Sequence, residues 1–281
     1  MTSLSSFSTP GSPATSGAVV PPYRSQVGPA RITFGRLVRA ETIALFSLRS
    51  TYVVLLIGGG LTFAISLLAT LAFTASGLTE APFFSFATIG LLFAQIAATM
   101  TGAGLYAKEH SSGSLRTQFA AAPRRVKTML AKATTLFVSV FVLGVVLLVV
   151  SLAASAVVFA ATGRTVGLDA GILVPLVLGG ATVLALTSVL GLGVAALVRS
   201  EALTIAIVLV LLLVVPVLLT LAADQEWVRV ISELMFSHTT ATLTTPVNVA
   251  GDVLLRDALV SIAWPAAALA IGATAVARRD A

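Results

Sequence analysis

The 281-residue chain contains no cysteine, and only 10% of its residues are charged. Without cysteine there are no disulfides, no thiolate nucleophiles and no cysteine-bound metal ions. The two histidines, His110 and His238, are far apart in the sequence, and no nucleophile–base pair or metal-ligand cluster is evident. A soluble domain carries about 25% charged residues, so this chain lacks the polar side chains that would cover a surface facing water.

Apolar sequence is what the chain has in abundance. Hydrophobic residues make up 57% of it, and the mean hydropathy is +1.04. Runs without Asp, Glu, Lys, Arg or His cover residues 52–73, 83–106, 133–161, 172–198, 202–223 and 259–277. A bilayer core is crossed by about 20 helical residues. The pattern therefore predicts an all-α polytopic membrane protein with six transmembrane helices, and the absence of ionisable residues from the runs argues against a proton-coupled carrier.

The first 30 residues differ from the rest, because they are rich in Ser, Thr, Pro and Gly and have no apolar core. This composition predicts a disordered cytoplasmic tail, residues 1–30, before a six-helix membrane domain, residues 31–281. The tail lacks the apolar run of a secretory signal, so we expect it to be retained.

The basic residues indicate the orientation. Outside Arg164, Arg229 and Arg256, they all lie before the first run, between the second and third, between the fourth and fifth, or after the last. The positive-inside rule places these segments, and both termini, in the cytoplasm. This topology accounts for the net charge of +6 without a nucleic-acid partner. The preference for arginine over lysine and the abundance of alanine are typical of a GC-rich bacterial genome, so we expect a bacterial cytoplasmic membrane.

An amphipathic segment, residues 31–48, precedes the first run. Apolar residues share one helical face, and Arg31, Arg36, Arg39 and Arg49 lie toward the other, which predicts a helix lying on the inner leaflet. Glu41 falls in the middle of the apolar face, where an unpaired carboxylate is costly. We expect either a basic partner from a neighbouring cytoplasmic loop or a side chain that extends to water.

The loop at residues 107–132 has the residues of a short helix at the cytoplasmic surface. Ser111, Ser112 and Gly113 are suited to ending the preceding helix, Ser114 to capping a new one, and Pro123 to terminating it. One interpretation is a docking element for a partner; the other is a basic loop that only fixes topology.

Smaller features have structural as well as functional interpretations. Paired glycines, such as Gly102 with Gly104, favour close helix packing. Gln95 and Thr99 in the second run are candidates for lining a pathway, or for hydrogen bonding between helices, which we favour. The external stretch 224–257 is moderately apolar, with Trp227 and Phe236, and is expected to enter the outer leaflet partly as short helices.

Three stretches resemble the permease subunits of ABC-2-type transporters. Residues 40–51, AETIALFSLRST, are similar to the family stretch Glu-Trp-x-Lys-Leu-Arg-Ser-Leu-Arg-Ser-Thr, with Thr42, Ala44 and Phe46 replacing its Trp and two basic residues. Residues 108–133 resemble Glu-Tyr-x-x-Gly-x-Ile-Arg-x-x-Leu-x-x-x-Pro-Arg-Arg followed by Lys, with His110 in place of the aromatic residue. Arg278, Arg279 and Asp280 resemble the closing Arg-Arg-Asp.

The resemblance implies a function and a set of site residues. The cytoplasmic loop would be a coupling helix that contacts a separate ABC-type ATPase, and the external stretch would form re-entrant helices. The implied ATPase-coupling interface consists of Glu109, Gly113, Leu115, Arg116, Phe119, Pro123, Arg124 and Arg125. The implied interfacial helix includes Glu41 and Arg49. A second permease chain, identical or different, would complete the pathway.

Energy would have to come from the partner, because the sequence has no Gly-x-x-x-x-Gly-Lys-Ser/Thr motif. We therefore expect no enzyme active site and no cofactor on this chain, with ATP and Mg²⁺ bound by the ATPase subunit. An exported lipid, drug-like molecule or peptide would each suit an apolar pathway. The alternatives are a non-transporting membrane scaffold or immunity-type protein, and an integral-membrane enzyme, for which the paired acids or nucleophile are lacking.

Overall fold

The computed structural model describes residues 33–76, 83–111, 125–164, 169–222, 224–244 and 249–279, and in these ranges the regular structure is helical. The elements are α1 (Phe34–Ser47), α2 (Arg49–Ala75), α3 (Phe83–Ala87), α4 (Leu91–Ser111), α5 (Arg125–Ala161), α6 (Ala170–Val198), α7 (Glu201–Leu209), a π-helical turn (Val210–Val214), α8 (Val215–Thr220), α9 (Glu226–Glu233), α10 (Phe236–Thr244) and α11 (Gly251–Arg279).

Six helical segments of the described chain are long and apolar enough to cross a membrane, which confirms the predicted number. They are Arg49–Ala75, Phe84–Lys108, Val126–Ala161, Ala170–Val198, Glu201–Thr220 and Gly251–Val276. The last segment begins eight residues before the predicted run at 259, because α11 continues through Asp252, Arg256 and Asp257. The sequence pattern missed this extension since a charged residue ends an apolar run but does not end a helix.

The side chains of α2 are arranged as expected for a helix that faces lipid, in agreement with the six apolar helices of a multi-pass membrane protein. Thr62, Ser66 and Thr70 on its inner face are fully buried, whereas Leu56 is 74% exposed on its outer face. A water-soluble helix has the opposite arrangement. Small and hydroxyl-bearing residues allow close helix contacts in lipid, where there is no hydrophobic gain from burying leucine.

Helix α6 is the centre of the bundle and packs against α4, α5 and α11. Glycines make these contacts possible. A Cβ atom on Gly102 of α4 would collide with the Ser188 carbonyl oxygen of α6, and one on Gly193 of α6 would lie 2.6 Å from the backbone of Ala268 in α11. The interpretation of these glycines as packing residues is confirmed.

The helix ends form two distinct regions. We call one the basic end: it comprises α1, the start of α2, the end of α4, the start of α5, the turn between α6 and α7, and the end of α11. Helices α1, α4, α5, α6 and α11 share a buried cluster here, which includes Leu45, Tyr106, Met129, Ala195 and Val276. We call the other the opposite end, which comprises the end of α2, α3, the end of α5, the starts of α6 and α11, and the short helices α9 and α10.

Candidate functional site

An ion pair buried in protein fixes α1 to α5 at the basic end. Lys132 Nζ lies 2.7 Å from Glu41 Oε2, and the two side chains are 0% and 7% exposed. Beside it, the Thr135 hydroxyl donates a 3.3 Å hydrogen bond to the Val38 carbonyl. The expectation of a basic partner for Glu41 is confirmed, and the alternative of a side chain extending to water is wrong.

A second contact fixes α4 to α2 at the same end. Lys108 Nζ donates a hydrogen bond to Ser50 Oγ. A Cβ atom on Gly104 would lie 3.2 Å from the Glu201 carboxylate and 3.4 Å from Lys108 Nζ, so both side chains extend over this glycine. The absence of a side chain at residue 104 therefore leaves room for charged groups of α4 and α7 where they meet.

The turn between α6 and α7 completes the basic end. Arg199 adopts a left-handed conformation with φ of 60°, and its N–H donates to the Ala195 carbonyl, ending α6. The Ser200 hydroxyl accepts a hydrogen bond from the Leu203 N–H and caps α7. This tight turn brings the acidic Glu201 to the region where Lys108 lies.

Most of the coupling-interface residues implied by the family resemblance lie outside the described ranges: Gly113, Leu115, Arg116, Phe119, Pro123 and Arg124. Glu109 lies in the last turns of α4 and Arg125 begins α5, and the side chains of both are outside the described set. The structure does describe the two helices on either side of residues 112–124. Lys108 connects α4 to α2, and Lys132 connects α5 to α1.

The remaining predicted site residues, Arg49, Gln95 and Thr99, lie in different surroundings. Arg49 is exposed and is the first residue of α2, so it belongs to the first membrane helix and not to α1. Thr99 is 2% exposed; its hydroxyl donates to the Gln95 carbonyl of its own helix, and its backbone packs against Gly191. Gln95 keeps partly exposed surface. Thr99 is thus in a helix-packing position, with its hydroxyl bonded within α4 and not between helices.

A charged group at the opposite end was missed by sequence reasoning. Asp257 is fully buried, and its Oδ1 accepts a 3.0 Å hydrogen bond from Arg256 Nε, while Arg256 also pairs with Glu233 at 3.1 Å. Within the described residues, Asp257 Oδ2 has no hydrogen-bond partner. The only signal in the sequence was the adjacent pair Arg256 and Asp257 just before an apolar run, and the sequence pattern placed this pair in the external stretch 224–257.

Further contacts at the opposite end hold α10 against α11. The Ser261 hydroxyl lies 2.9 Å from that of Thr239, and Trp264 Nε1 donates to the Leu234 carbonyl, which fixes α10 and its preceding turn to α11. His238 is exposed and borders a cavity of about 380 Å³ beside Arg229. No group of three His, Asp or Glu able to hold a metal ion occurs in the ranges that the structure describes.

Comparison with known proteins adds no assignment: no protein-family model matches the chain, and no curated protein sequence matches it significantly.

Proposed function

We propose that the chain is the transmembrane permease subunit of an ABC-2-type ATP-binding cassette exporter, driven by a separate ATPase subunit. Its support is the order of the three resembling stretches along the chain, together with six helices of the described residues that are long and apolar enough to cross a membrane. Two such chains, identical or different, would enclose the pathway, and ATP and Mg²⁺ would be bound by the partner ATPase.

The observation that carries the proposal is the anchoring of both helices that flank residues 112–124. Lys132 near the start of α5 is paired with Glu41 of α1, and Lys108 near the end of α4 is bonded to Ser50 of α2. Separating the buried Lys132–Glu41 pair would be strongly destabilising, and the partly buried hydrogen bond from Lys108 to Ser50 adds a second connection. A displacement imposed on residues 112–124 would therefore be transmitted to α1, α2, α4 and α5 together, as a rigid-body switch requires.

The finer parts of the proposal follow from charge and amphipathicity. The basic end faces the cytoplasm, with both termini there, and the membrane is the bacterial cytoplasmic membrane. Helix α1 lies along the inner leaflet, with Arg36 and Arg39 exposed and Leu45 buried. Helices α9 and α10 form the external re-entrant segment. Gln95, which retains exposed surface, is the better candidate than Thr99 for a side chain facing the pathway.

The test is to look for a P-loop ATPase encoded in a neighbouring gene and to co-purify it with this chain from membranes, followed by an ATPase assay of the complex. We expect a stable complex whose ATP hydrolysis changes in Glu109→Ala and Arg116→Ala. Arg229→Ala, at the opposite end and exposed, is the matched control and should leave hydrolysis unchanged.

Two outcomes contradict the proposal. If no ATPase associates in several mild detergents, the exporter has no energy source. If the complex forms but Glu109→Ala and Arg116→Ala behave like Arg229→Ala, residues 107–132 do not couple the two subunits, and the non-transporting scaffold becomes the better description.

A further inference from the structure

An apolar groove lies on the membrane-facing side of the bundle, between α2, α4 and α5. Its volume is about 400 Å³. Ala94 and Ala98 of α4 are buried at its floor, while Leu56 of α2 and Val146 of α5 are exposed on its two walls. Small residues on the middle helix and large ones on the outer helices produce the concave shape.

The groove has the length of a lipid chain. Along α5 it is lined from Val140 to Val150, which at 1.5 Å per residue is about 15 Å. The hydrocarbon core of a bilayer is about 30 Å thick, so one leaflet contributes about half of that. The groove therefore spans the depth of a single leaflet, starting from the basic end, where Phe46 and Tyr52 border it.

A cation lies one helical turn before the first groove-lining residue of α2. Arg49 precedes the groove-lining Tyr52 by three residues, so the two lie on one face of α2. Arg49 is exposed, and within the described residues it forms no ion pair and no side-chain hydrogen bond. A guanidinium group binds phosphate oxygens through paired N–H donors.

We propose that this groove binds one acyl chain of an anionic phospholipid, whose phosphate pairs with Arg49. The proposal depends on membrane insertion alone and is independent of the proposed transport function.

At this face of the bundle, beside Arg49, a second copy of the chain fits less well than a lipid, so the chain pair of the proposed function would use another face. Two copies inserted in the same direction and related by a two-fold axis would bring their basic ends to the same depth. Arg49 would then meet another basic surface, and like charges across an interface are unfavourable. A lipid phosphate supplies the opposite charge at that depth.

Two adjacent glycines supply a variant that fills the groove and a matched control that does not. A Cβ atom on Gly59 would lie 3.7 Å from Leu147 Cδ1, an ordinary contact, so a longer side chain can enter the groove without displacing backbone. A Cβ atom on Gly60 would have no atom within 4 Å. Gly59→Leu thus occupies the lipid position, whereas Gly60→Leu adds the same side chain outside it.

The experiment is native mass spectrometry of the delipidated full chain in detergent, titrated with phosphatidylglycerol or phosphatidylcholine. We expect the wild type and Gly60→Leu to retain one phosphatidylglycerol and Gly59→Leu to lose it. Arg49→Gln should weaken phosphatidylglycerol binding roughly tenfold or more, as expected for losing a charge-assisted hydrogen bond, and should weaken phosphatidylcholine binding less, because choline already offsets the charge of its phosphate. Arg229→Gln, at the opposite end, should bind like the wild type.

Three results would overturn the proposal. The first is equal phosphatidylglycerol retention by Gly59→Leu and Gly60→Leu. The second is an Arg49→Gln variant that prefers phosphatidylglycerol over phosphatidylcholine as strongly as the wild type does. This measurement can be made even if Gly59→Leu fails to fold. The third is a change of oligomeric state in Gly59→Leu with lipid retention intact, which would assign the groove to a second copy of the chain.

Discussion

The two ends of the bundle each bury a carboxylate, but they stabilise it in different ways. At the basic end, Glu41 is paired with a lysine that is itself buried, and both belong to helices of 14 residues or more. At the opposite end, Asp257 shares the half-exposed Arg256 with Glu233. A buried charge is costly unless it is fully paired. We therefore expect the basic end to be rigid, and we expect part of the free-energy cost of burying Asp257 to remain uncompensated at the opposite end.

The largest expected effect is at the basic end. Glu41→Ala leaves the Lys132 ammonium buried without its partner, and we expect a loss of roughly 3–5 kcal/mol in the free energy of unfolding. The measurement is unfolding in detergent micelles. The double variant Glu41→Leu/Lys132→Met removes both charges and should recover most of the loss, while Glu226→Ala, an exposed acid, should change stability by about 0.5 kcal/mol or less. If Glu41→Ala resembles Glu226→Ala, the two ends do not differ in the way described.

The rigidity of the two regions can be compared without changing charge, by measuring the stability lost when a tightly packed glycine in each region is replaced by alanine. A Cβ atom on Gly102 would collide with Ser188 of the long helix α6, and one on Gly179 of α6 would collide with Leu243 of the nine-residue helix α10. We expect Gly102→Ala to destabilise by about 1–3 kcal/mol through overpacking, and Gly179→Ala to destabilise less, because a short helix moves more readily. Gly60→Ala, with open space around it, should be neutral or gain up to about 1 kcal/mol from helix propensity. Equal losses for Gly102→Ala and Gly179→Ala would contradict the proposed difference in rigidity.

Asp257→Asn tests whether the opposite end carries an uncompensated charge. The amide keeps an oxygen that can accept from Arg256 and removes the buried negative charge. We therefore expect stability to be unchanged or raised by up to roughly 1 kcal/mol, in contrast to Glu41→Gln, which should be clearly destabilising. Unfolding of both variants in the same detergent gives the comparison, and a large loss in Asp257→Asn would mean that Asp257 is fully paired.

The smallest effects should be equal at the two ends, since they involve neutral groups. Thr135 bonds to the Val38 carbonyl at the basic end, and Ser261 bonds to Thr239 at the opposite end. Hydrogen bonds between membrane helices average about 0.6 kcal/mol, so Thr135→Val and Ser261→Ala should each lose about that amount. A marked difference between them, measured by the same unfolding assay, would show that the contrast between the ends extends beyond charge.

Several elements were predictable from the sequence because a single local property determines them. The six membrane helices follow from uninterrupted apolar runs, and the need of Glu41 for a partner follows from its position on an apolar face. The identity of that partner, Lys132, was not predictable, since it lies 91 residues away. The start of α11 was also missed, because the charges at residues 252–257 gave the pattern of a loop.

The sequence by itself determined that lipid is the main solvent of this protein and how often the chain crosses it, because those properties depend only on the hydrophobicity of consecutive residues. Only the tertiary structure decided which charges are paired, which glycines lie at helix crossings, and where a groove remains open beside Arg49. Those features depend on which surfaces of distant helices meet, and the close approach of α4 to α6 and of α1 to α5 is fixed by packing of side chains far apart in the chain.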